Sequence, residues 1–119
     1  KGNVSKEGNM PEKSIYHITE KGNKYFLELM KKISAQMVNI FLDFNAVIIN
    51  LEMVSPLERK ELTENIEYQI RQFQKAVLQL KEERTDIPFT GKTILKQQVL
   101  LSEALNKWIE NFRELYLEE

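Results

Sequence analysis

The chain has 119 residues, 42% of them hydrophobic and 29% charged. That balance fits one folded domain, or a small domain with a piece of another, and excludes a globally disordered chain. Its 17 basic and 18 acidic side chains leave a net charge of −1, so bulk charge favours no polyanionic partner.

The absence of cysteine removes disulfides, thiol nucleophiles and sulfur-ligated metals, and fits a reducing cytoplasm. The most apolar stretch, Met37 to Val54, is broken by Asn39, Asp43, Asn45, Asn50 and Glu52. A bilayer span needs about 20 largely apolar residues. This stretch therefore reads as a buried helix, and no membrane partner is expected. Residues 1–25 hold five lysines and three glutamates, a mild basic bias of the size that a solvated face produces.

In chain order, Gly2, Gly8, Asn9 and Pro11 punctuate the start, and Ile15 to Ile18 form a short β-prone run. They predict a β-hairpin with strands at about 2–6 and 13–18 around a turn at 7–11. Thr19 is the expected cap of a helix over about 20–33, where Tyr25, Phe26, Leu29, Met30 and Ile33 make a helical stripe. Gly22 in its first turn is unexpected, since glycine weakens a helix. Phe41, Phe44, Ile48 and Leu51 predict a second helix over about 37–53, with a break near Asn39 or Asp43.

Ser55-Pro56-Leu57-Glu58 is a capping box with proline at the first helical position. The helix it opens is expected over 56–83, where Ile66, Ile70, Phe73, Val77 and Leu80 step by 4, 3, 4 and 3. That is heptad spacing. Asp86, Pro88 and Gly91 mark a loop, with Thr90 as cap of a last helix at about 91–117. There Leu101, Leu105, Trp108, Phe112 and Leu115 repeat the heptad steps. Two such helices around a short loop form an antiparallel hairpin. A helix of 56–83 would be about 42 Å long, more than a compact domain of this size needs. The ten heptad residues are therefore expected at a dimer interface.

Chemistry finds little foothold. Gly91-Lys92-Thr93 ends like a phosphate-binding loop, but Asp86 stands where that motif needs glycine. His17 is the only histidine, without companions for a metal or acid–base site. Glu61, Glu64 and Glu67 share a face that reads as solvent-exposed, and paired carboxylates act only in a cleft. Phe41, Phe44, Phe73, Trp108 and Phe112 could line a pocket, though aromatic stripes usually form core. No enzyme, cofactor or metal is expected.

One segment is more specific. Lys13-Ser14-Ile15-Tyr16-His17-Ile18-Thr19-Glu20-Lys21-Gly22, followed by Tyr25-Phe26-Leu27-Glu28-Leu29, resembles the end of the wing and the next helix of PadR-like transcription regulators. Tyr16, Ile18, Thr19 and Gly22 stand at the recurrent positions, and Ala104-Leu105 with Trp108 resembles the family's last helix.

The resemblance implies a mainly α chain. Residues 1–19 would be the wing hairpin of a winged helix-turn-helix, 20–35 a connecting helix, and 36–119 a helical dimerisation domain with long antiparallel helices. It also implies a homodimer on double-stranded DNA, with Lys6 and Lys13 on backbone phosphates. A ligand sensor whose aromatic helices bind a small-molecule effector, alone or as part of that regulator, is a further reading. The helix-turn-helix is expected ahead of Lys1, so base-reading residues are not named. Gly22 would let the helix start pass close to the wing. The alternative reading is a helical-hairpin adaptor that binds a partner protein.

Overall fold

The computed structural model describes residues 19–117, which contain helices and connecting turns and no strand. This corrects the expected fold class, because no β element joins the helices. From Thr19 onward apolar residues recur at helical rather than alternating spacing, so backbone groups are satisfied within each segment. The hairpin expected at 2–18 lies outside the described residues. The chain divides into two units, residues 1–41 and 42–119.

In the first unit, α1 spans Glu20–Ser34. Thr19 caps it as expected, its Oγ1 accepting from the Gly22 amide at 2.9 Å. Glu20 in the first turn and Lys31 and Lys32 in the last complement the helix dipole. Phe26, Leu29, Met30 and Ile33 follow the i, i+3, i+4, i+7 rule of one helical face. No residue of α1 is buried.

The second unit begins with a shorter helix than the sequence predicts. Residues 37–42 are not helical, α2 covers only Asn45–Ile49, and a 3-10 turn follows at Leu51–Met53. Local turn contacts bound the helix on both sides. The Asp43 carbonyl accepts the Ala46 amide in a local turn, and the Asn50 side chain takes the Ala46 carbonyl at 2.7 Å. The first is a backbone turn, and the second is a side chain competing for a helical carbonyl. Leu51 is then driven into the interior, and its carbonyl accepts from Arg59 Nε at 3.0 Å.

The long helix α3 runs Pro56–Glu83, as expected, behind a complete capping box. Ser55 Oγ accepts from the Glu58 amide, and Glu58 Oε1 accepts from the Ser55 amide, each at 3.2 Å. The last helix, α4, spans Phe89–Phe112 and is capped by Pro88, not Thr90. Proline fixes the extended entry, and its carbonyl accepts the Lys92 amide at 3.0 Å. Gly91 sits beneath Ile87: an added Cβ would come within 3.2 Å of Ile87 Cδ1. The chain continues as a π-helical turn over Arg113–Leu117.

α3 and α4 form an antiparallel hairpin. Asn106 pairs with Gln74, and Arg113 pairs with Glu67. Moving seven residues up α3, from Glu67 to Gln74, moves seven residues down α4, from Arg113 to Asn106. The register is thus one heptad per heptad. Ile66, Ile70 and Ile109 form the core, with Phe44, Val47 and Ile48 of the α2 region packed on it.

Candidate association interface

The heptad residues of α3 divide between the hairpin and its surface. Ile66, Ile70 and Val77 are buried, Phe73 is half-buried, and Leu80 is exposed. On α4, Leu105, Trp108 and Phe112 are half-buried and Leu101 is exposed, as is Leu115 in the turn that follows. The side of α4 that is buried lies one residue along: Val99, Ser102, Asn106 and Ile109. These also step by heptad spacing, so α4 carries two adjacent seams. Two of its aromatic residues, Trp108 and Phe112, belong to the other one.

That second seam meets Phe44, the residue just ahead of α2, at Trp108. Phe44 stacks on Trp108 at 5.6 Å, Trp108 on Phe112 at 5.7 Å, and Phe112 on Tyr116 at 5.0 Å. The rings form one column, at centroid spacings typical of offset stacking. Trp108 and Phe112 are thereby occupied in packing, which answers the pocket reading of the aromatic stripe. Ile94 and Leu101 lie seven residues apart on the same side of α4 as Leu105 and Phe112. Beyond α2, both are exposed. Leu57 and Tyr68 add exposed apolar surface on α3. Sequence periodicity does not single out Leu57 and Tyr68, because neither falls on the heptad positions.

The polar side of the hairpin holds an ion-pair node. Glu67 accepts from Arg71 one turn on and from Arg113 across the hairpin, the latter at 2.9 Å. The Glu67 hydrogen bond raises the Arg71 pKa, against the opposing cost of desolvation. Arg59 lies 6.0 Å from the Tyr116 ring centroid, within cation–π range. Thr63 Oγ1, Asn106 Oδ1, Arg113 Nε and the Tyr116 hydroxyl are buried without a hydrogen-bond partner. This interface is held by register as well as by apolar burial.

The chemical candidates fall into structural roles. Glu64 pairs with Lys60 at 3.2 Å on the surface, and Glu67 is engaged by arginines. Among the described residues, no group of three histidine, cysteine or carboxylate side chains could hold a metal. Gly91-Lys92-Thr93 lies in the opening turns of α4, with no strand leading in. No helix among the described residues is long and apolar enough to cross a membrane. Lys6, Lys13 and His17 lie outside the described residues. Comparison with family models, curated proteins and solved structures gave no match to this chain.

Proposed function

We propose that this chain is the dimer-forming part of a DNA-binding transcription regulator of the PadR-like kind, acting in the cytoplasm. The observation that supports association is the half-covered seam of α4. Phe44, just ahead of α2, stacks on Trp108, and the same apolar side continues exposed through Leu101 to Ile94. A second copy would cover it in an isologous contact, giving the two-fold symmetry that a palindromic DNA site requires. The DNA half of the reading rests on the resemblance of residues 13–29, within which Thr19 caps Gly22 at the start of α1.

Light scattering over a dilution series tests the dimer. A mass near twice 14.1 kDa that falls to the monomer value in Leu101→Glu is expected. A monomer at every concentration would remove the dimer. Selection of binding sites from a random duplex library with the complete gene product tests the DNA half. Enrichment of a two-fold symmetric site is expected, and no enrichment would remove it.

A second reading, a hairpin adaptor for a partner protein, is favoured by exposed Leu57 and Tyr68 on α3. It takes precedence if the chain is monomeric and binds no DNA.

A further inference from the structure

At the loop end of the hairpin, the last turn of α3 and the opening turns of α4 enclose a cleft of about 520 Å³. Lys81, Arg84, Lys92 and Lys96 line it, against a single carboxylate, Glu103. The chain as a whole carries a charge of −1, so this concentration of cations is not a reflection of bulk composition. None of the four forms an ion pair among the described residues, where the salt bridges lie around Lys60, Arg71 and Arg113.

Helix electrostatics accounts for only half of the cluster. Lys81 and Arg84 sit at the C-terminal end of α3, where cations are favoured by the dipole. Lys92 sits in the first turn of α4, where cations are disfavoured and no acidic residue offsets it, and Lys96 follows one turn further on. Leu95, Val99 and Leu100 supply apolar walls. The volume falls in the range of small-molecule sites.

We infer that the cleft binds a small amphipathic anion, with a carboxylate or phosphate head between Lys92 and Lys96 and an apolar body along Leu95, Val99 and Leu100. This site is separate from the Trp108–Phe112 column and does not depend on the regulator reading. The cation pairs would hold the head by charge-assisted hydrogen bonds, which are stronger than neutral ones. The apolar walls would discriminate against inorganic anions.

Isothermal titration calorimetry with octanoate tests it on the 119-residue chain. One octanoate per chain is expected, with affinity reduced about tenfold or more in the Lys92→Glu/Lys96→Glu double variant, since each tenfold step is the order of one charge-assisted contact. Lys75→Glu, a charge reversal on α3 outside the cleft, is expected to leave binding unchanged. Octan-1-ol and inorganic phosphate alone are expected to bind far more weakly. Equal octanoate affinity in the double variant would overturn the assignment, as would octan-1-ol binding as well as octanoate. Duplex DNA or phosphatidylglycerol vesicles that bind in a manner abolished by the double variant, with octanoate inert, would also overturn it. Retained helical circular dichroism in the double variant shows that lost binding is not lost folding.

Discussion

Asn106 of α4 donates its side-chain amide to Gln74 of α3 at 2.7 Å, and also to the Ser102 carbonyl at 3.1 Å. It does so in the middle of a buried seam, while its Oδ1 finds no partner. A half-satisfied buried amide contributes little net stability, but it favours one register over its neighbours. Asn106→Leu is therefore expected to be at least as stable as the native chain in urea, by up to about 1 kcal/mol. Cross-helix register should become heterogeneous, visible as doubled amide resonances. A loss of stability with a single set of resonances would show that Asn106 acts as ordinary packing.

Ile109 is fully buried, at 0% exposure, whereas Leu115 is 74% exposed. Both are apolar residues of the last helical segment, so they separate burial from residue type. Ile109→Ala is expected to cost about 3 kcal/mol, the transfer term plus a cavity. Leu115→Ala should stay within about 0.5 kcal/mol in the monomer. Chemical denaturation of both variants at low protein concentration checks this. A comparable cost at the two positions would mean that Leu115 is covered in solution.

The Ser55–Glu58 capping box satisfies two orphan amides at the start of α3. Ser55→Ala is expected to cost about 1 kcal/mol. Thr90→Ala should have a much smaller effect, because Pro88 and not Thr90 caps α4. Thermal melts of the two variants decide between the observed start of α4 and a start at residue 91.

Glu67, with its side chain only 13% exposed, holds both Arg71 and Arg113. Glu67→Gln is expected to destabilise the hairpin by about 1–2 kcal/mol, since Arg113 is left partly buried without its anion. The loss should shrink with added salt for the exposed Arg71 contact and persist for Arg113. The raised pKa of Arg71 gives a contribution that is present below its unfolded value and lost only as pH rises through its folded value. Stability near neutral pH is thus expected to be insensitive to the titration of Arg71. A neutral-pH transition that disappears in Arg71→Gln would contradict this.

Local chemistry made α1 and α3 readable. Thr19 and the Ser55–Glu58 pair are self-contained signals, because a cap needs only residues three or four positions away. The second helix was less readable: its apolar run continues to Val54, but α2 covers only Asn45–Ile49, and the Asn50 side chain takes the Ala46 carbonyl at its end. Thr90 looked like a cap, but the proline before it had already fixed the entry to α4.

The candidate interface shows the same division. Heptad spacing in the sequence determined that α3 and α4 would be long, amphipathic and antiparallel about a short loop. The absence of cysteine, separately, rules out a metal or nucleophilic site built on thiolates. Only the tertiary structure decided which of the two seams on α4 faces α3, because both share one period and differ by a 100° rotation about the helix axis. The aromatic seam stacks instead on Phe44, ahead of α2. Ser102 and Asn106 were left to face α3, and Ile94 and Leu101 remained exposed.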